Sequence, residues 1–185
     1  MKIYDNIQEI VKDDMVTTIS KGSKVSIAAA CFSMYAYKEL KKQLDSVDEF
    51  RFIFTSPTFT KEKASKAKRE FYIPRLSRET SLYGTEYEIK LRNEMTQKAI
   101  ARECADWIRK KATFKSNITG ENMGGFMTVD APAEQVAYMP IGGFTTVDIG
   151  CERGNNSYNM VNRMEAPFSI QYMQLFETLW NDKTK

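Results

Sequence analysis

No histidine occurs among the 185 residues. Imidazole is the side chain most used for proton transfer near neutral pH and a very common metal ligand, so every serine or cysteine triad built on it is excluded. Cysteine is scarce as well. Cys31, Cys104 and Cys151 are odd in number, far apart and never spaced as CxxC, which argues against a disulfide framework or a zinc site and leaves buried thiols as the expectation. Long apolar runs are missing: none approaches the roughly 20 residues of a membrane span, and the opening MKIYDNIQEI lacks the hydrophobic stretch of a secretion signal. The expectation is a cytoplasmic protein with no membrane partner. An excess of one charge is also absent, since 27 Lys and Arg face 24 Asp and Glu, and a net charge of +3 names no partner. What is present is a chain of one-domain length whose 42% hydrophobic and 12% aromatic content is ordinary for a globular fold.

The charges are uneven along the chain. Lys61 to Arg78, KEKASKAKREFYIPRLSR, holds seven basic and two acidic residues, and Lys90 to Lys115 holds eight basic and three acidic. Clustered Lys and Arg beside Phe71 and Tyr72 is the pattern of a surface that follows phosphates and stacks bases. Candidate phosphate contacts are Lys61, Lys63, Lys66, Lys68 and Arg69, with Lys98, Arg102 and Arg109 as a second set. A solvated helix face accounts for the same charges equally simply.

Periodicity organises the rest. Ile3, Ile7, Ile10, Val11 and Met15 fall at helical spacing, predicting an amphipathic helix at the amino terminus. Val25 to Phe32 is an almost unbroken apolar run, the pattern of a strand covered on both faces. MYAYKELKKQL reads as a helix and EFRFIFTSP as a second strand, so a βαβ unit with parallel strands is expected, with any ligand at the strand carboxyl ends, Cys31 to Ser33 and Thr55 to Thr58. A basic helix is predicted to about Glu70, then an irregular or hairpin-like stretch with one strand at Tyr87 to Leu91. A long helix follows from Asn93 as N-cap to Lys111, with Ile100, Cys104, Trp107 and Ile108 on one face. TFKSNI reads as a strand, CERGNNSYNMVNR as a polar loop, and APFSIQYMQLFETLW as a closing helix with Phe168, Tyr172, Leu175, Phe176 and Leu179 facing the core.

One phrase is written twice, GGFMTVD from Gly124 and GGFTTVD from Gly142. The plain reading is a β-meander of two like strands with a weaker strand, EQVAYMP, between them.

The order of these segments resembles the phospholipase D-like fold, and more closely the amino-terminal domain of bacterial superfamily-two DNA/RNA helicases. The resemblance implies an α/β fold, a mixed β-sheet flanked by helices on both faces, in a single domain over residues 1–185, followed in a longer protein by a helicase motor. The family signature, HxKxxxxD and then GSxN, fits the window from Met123 to Asp130 in degenerate form. Met123 stands at the histidine place, Gly125 at the lysine place, and Asp130 is retained. Gly143 and Thr145 stand at the serine and asparagine places, and Glu165 in NRMEA resembles a late acidic position. A thioether and a hydrogen atom cannot attack phosphorus or hold its charge, so the resemblance implies a domain without catalytic residues and without a cofactor of its own, ATP and Mg²⁺ belonging to the motor. The implied partners are nucleic acid, DNA ahead of RNA, and the downstream helicase domains.

Two other readings stay open. Family members assemble two signature halves, so this single half also suits a homodimer or a protein-docking scaffold. Alternatively Asp130, Asp148, Glu152 and Glu165 gather Mg²⁺ for a metal-dependent nuclease, or Cys151, with Arg153 to lower its pKa, acts as a nucleophile.

Overall fold

The computed structural model of the chain describes residues 1–55, 86–119, 121–153 and 159–182, with backbone alone over 86–97. Its strands are β1 (Lys2–Tyr4), β2 (Lys24–Ala29), β3 (Glu49–Phe54), β4 (Ala112–Ser116), β5 (Phe126–Asp130), β6 (Gln135–Met139) and β7 (Val161–Glu165). The helices are α1 (Val11–Thr18), α2 (Met34–Glu39), α3 (Lys41–Ser46), α4 (Glu86–Lys111) and α5 (Phe168–Asn181). The strands form one mixed sheet in the order β1-β7-β6-β5-β2-β3-β4. Pairs β2–β3 and β3–β4 are parallel, and the other four are antiparallel. The expected βαβ unit is present, closed by α2 and α3, and the chain is mixed α/β.

Strand alternation divides the sheet into two unlike faces. Val25, Ile27, Phe50, Phe52, Met127, Val129, Val136 and Tyr138 point to one side and meet Met15, Tyr37, Leu40, Leu44, Cys104 and Trp107 from helices α1 to α4. The centre of this core is aromatic. Phe32 lies edge-on to Phe52 and Phe114, Phe50 edge-on to Trp107 with centroids 4.8 Å apart, and the indole Nε1 donates to the carbonyl of Leu44 at 2.9 Å. One helix packs on the opposite face. Phe176 of α5 sits on Ala28, Ile53 and Phe126, with Tyr172, Leu179 and Trp180 packed around it.

Several expectations need correction. The amino-terminal segment is not one helix: β1 pairs with β7, and α1 begins only at Val11. The cause is local. Asp5 Oδ1 accepts the N–H groups of Ile7, Gln8 and Glu9, Asn6 turns with φ 55°, and Asn6 Oδ1 accepts from Val11 N at 2.8 Å to open the helix. Ile3 and Ile7 are consequently exposed. Tyr87 to Leu91 is helix, not strand, and Asn93 lies inside α4 rather than capping it. Five residues of alternation are outweighed by a surrounding run of Glu, Lys, Leu, Arg, Met and Gln, all strong helix formers. The helix after β2 breaks at Leu40, whose φ of −112° and ψ of 14° separate α2 from α3. Phe168 and Leu175 face outward on α5. VNRME is strand β7, not loop, because its arginine is neutralised by partners far away in sequence. The helix expected over 61–70 lies outside the described residues. No described helix is long and apolar enough to cross a membrane.

Candidate functional site

The doubled phrase becomes two different structures at one place. The first copy is β5. The second is a crossing and a turn: Phe144 forms a parallel bridge with Phe32, Ala30 N donates to Gly142 O at 2.9 Å, Phe144 N to Cys31 O at 2.8 Å, and Ser33 N to Phe144 O at 2.9 Å. The chain therefore lays its own backbone over the carboxyl end of β2, where an open parallel sheet ordinarily leaves a ligand crevice. Of the two stretches expected to line that crevice, Cys31–Ser33 is paired with the chain itself. Thr55 N donates to Ala29 O, and residues 56–58 lie outside the described residues.

In each copy it is the second glycine that the packing requires. A Cβ on Gly125 would stand 1.7 Å from the carbonyl oxygen of Ile141, whose own N–H donates to Gly125 O at 2.9 Å. A Cβ on Gly143 would stand 2.6 Å from Cys31 Sγ and 2.9 Å from Asp148 Oδ2, whereas one on Gly124 would meet nothing within 4 Å. Two backbone segments cross here closer than any side chain permits. Met123 is half-buried and packs against the Ala28, Ile53, Phe126 and Phe176 cluster, so its thioether serves the apolar core.

The turn after the crossing is built by threonine. Thr145 Oγ1 accepts from Asp148 N at 3.1 Å and donates to the Asp148 carboxylate, while Ile149 N returns to Thr145 O at 3.1 Å. This is one capped helical turn. Thr146 Oγ1 donates to Glu152 Oε2 at 3.0 Å.

The remaining signature positions are elsewhere. Asp130 is exposed at the far end of β5 from Gly125, roughly 17 Å away along five residues of strand. Its carboxylate accepts from Gln135 Nε2 at 3.5 Å. Glu165, at the end of β7, pairs with Arg163 at 2.7 Å and with the amino terminus at 3.1 Å, whose ammonium chiefly holds its carboxyl below the ordinary value. Asp130, Asp148, Glu152 and Glu165 are thus not gathered, and among the described residues no group of three or more His, Cys, Asp or Glu can hold a metal ion. The Cys151 thiol is not activated in this setting. Burial first, and then the Glu39 carboxylate, push its thiol up to about 11.

Of the cationic candidates, Lys61, Lys63, Lys66, Lys68 and Arg69 lie outside the described residues. Lys98, Arg102 and Arg109 are all exposed on α4. At 100° per residue they form a stripe within about 40° of one another, diametrically opposite buried Ile100, Cys104 and Trp107. Along the axis the stripe runs about 16 Å. Arg109 pairs with Asp106 at 3.0 Å; no ion pair within 4 Å is seen for Lys98 or Arg102 among the described residues.

One constellation escaped sequence reasoning. The Asp14 carboxylate on α1 accepts from Tyr4 Oη at 2.8 Å, Tyr138 Oη at 2.6 Å and Arg163 Nε at 2.8 Å, and Arg163 also reaches Glu134 and Glu165. It ties α1 to three strands, and its only early signal was the pair of adjacent aspartates in VKDDM. No protein-family model matches the chain, and a comparison with curated proteins finds no match.

Proposed function

We propose that the chain is a catalytically inactive phospholipase D-like domain that binds the nucleic-acid backbone, DNA ahead of RNA, as an accessory to a DNA/RNA helicase motor. The observation that carries the binding reading is the outward stripe of Lys98, Arg102 and Arg109, set opposite the buried face of α4. Cations aimed at solvent on a rigid helix attract phosphate in proportion to the charges they neutralise, with no need for a reactive centre. Inactivity is supported by the missing histidine and by Gly125, where the Ile141 carbonyl occupies the space a lysine would need. The mixed sheet with helices packed on both faces agrees with the expected architecture at the level of fold class.

Fluorescence anisotropy with labelled DNA at low and raised salt tests the reading. Binding should weaken as salt rises, and the double variant Lys98→Ala, Arg102→Ala should lower the slope of log K against log salt by about 2, near 0.9 per lost phosphate contact. Absent or salt-independent binding at about 100 μM protein ends the proposal. A docking scaffold is the second reading, favoured by exposed Phe168 and Leu175, seven residues apart on the outer side of α5. Light scattering over a concentration series separates the two, since a strict monomer leaves self-association without support.

A further inference from the structure

The second face of the sheet is only partly covered. Below the Phe126, Ala28 and Ile53 row that Phe176 seals, three central strands each place a polar pair at i and i+2. These are Lys24 and Ser26 on β2, Glu49 and Arg51 on β3, and Thr128 and Asp130 on β5. The registers align them in two rows, Asp130 beside Lys24 beside Glu49, and Thr128 beside Ser26 beside Arg51. With Met173, Phe176 and Glu177 of α5 they line an opening of about 180 Å³. Central strands ordinarily carry apolar residues there, and six polar side chains in register are a departure from that pattern.

The wall of this trough is ordered. The Arg51 guanidinium lies 5.0 Å from the Phe176 ring and 5.4 Å from the Trp180 ring, donates to Ser26 Oγ at 3.2 Å, and is paired with Glu177. Its Nε is buried without a hydrogen-bond partner, with only Glu49 near at 3.8 Å. Ser26 and Thr128, in the second row, are almost wholly buried.

Charge decides what fits. The lining carries two cations against three carboxylates, so a phosphate or other simple anion is repelled and this trough does not extend the nucleic-acid surface. Glu177 already neutralises Arg51, which leaves one cation, Lys24, facing two carboxylates, Asp130 and Glu49. The complement is a small molecule bearing both an ammonium and a carboxylate. The size agrees: the opening falls below the range of roughly 300–1,000 Å³ that holds drug-sized ligands. We infer that this trough binds a free α-amino acid, its ammonium toward the Asp130 and Glu49 carboxylates, its carboxylate on Lys24, and its side chain toward Met173. The inference does not rest on the nucleic-acid reading.

The full chain should be titrated with each proteinogenic α-amino acid in turn, followed by tryptophan fluorescence and by calorimetry, with putrescine, acetate and inorganic phosphate as controls that carry charge of one sign only. At least one amino acid should bind saturably, and the three controls should bind about tenfold or more weakly, because each loses one charge-assisted contact. Asp130→Asn and Lys24→Met should each weaken binding by about tenfold or more. Lys98→Ala with Arg102→Ala should leave it unchanged. If Asp130→Asn lowers the unfolding midpoint, Lys24→Met alone carries the comparison, since Lys24 is exposed at the strand start. No saturable binding below about 10 mM, equal binding of putrescine or phosphate, or full affinity in the Lys24 variant overturns the inference.

Discussion

Gly125 shows how far a single residue constrains this chain. Its missing Cβ is the space in which the Ile141 carbonyl stands, so Gly125→Ala forces two hydrogen-bonded backbone segments apart and should cost about 1–3 kcal/mol or more. Gly124→Ala, with nothing within reach, should stay within about 0.5 kcal/mol of the parent. Urea unfolding of both variants checks the contrast. Asp14 is the other decisive position. Removing it as Asp14→Ala leaves the mostly buried guanidinium of Arg163 and two phenols without their shared acceptor, an expected loss of about 3–5 kcal/mol measured the same way.

Among the elements, α4 divides its labour by face. Trp107 packs against Phe32, Tyr37 and Phe50 and bonds the Leu44 carbonyl, so Trp107→Ala should cost about 3–5 kcal/mol. The exposed pair Lys98→Ala, Arg102→Ala should change stability by no more than about 0.5 kcal/mol while weakening DNA binding, a separation that one thermal scan and one titration display. The 3.6-residue period made this helix and its cationic stripe readable from its carboxyl half. Strands β2, β3 and β5 were equally readable, because short apolar stretches near Gly and Pro breaks are a local signal. β1 and β7 were not. Lys2–Tyr4 is too short to show a period, and VNRME looks like a loop until Asp14 and Glu134 are placed beside Arg163.

Across the whole molecule, titrating groups bracket a stability plateau around neutral pH. Backbone N–H groups hold Asp5, the amino terminus holds Glu165, and Arg51 holds Glu177, each below the ordinary carboxylate value. A depressed folded pKa stabilises above the unfolded value near 4, and that contribution is lost as pH falls through the depressed values. Burial has the opposite effect on Cys104, raising its thiol from 9.0 to about 12. Stability from that group is complete below pH 9.0 and drains away as pH rises toward about 12. The midpoint of urea unfolding should accordingly fall on both sides, and Cys104→Ala should flatten the alkaline limb. Native Cys104 should also resist thiol reagents at neutral pH until the chain unfolds.

The absence of imidazole, the parallel opening unit, the closing amphipathic helix and the basic stripe are properties of composition and short-range period, so the order of residues alone determined them. The fate of the repeated glycine phrase was settled by tertiary structure, which made one copy a strand and the other a crossing. It also set polar pairs from Lys24, Glu49 and Thr128 onward side by side on one face. Both outcomes depend on register between segments as much as a hundred residues apart, and no local period encodes which distant backbone will come to lie alongside.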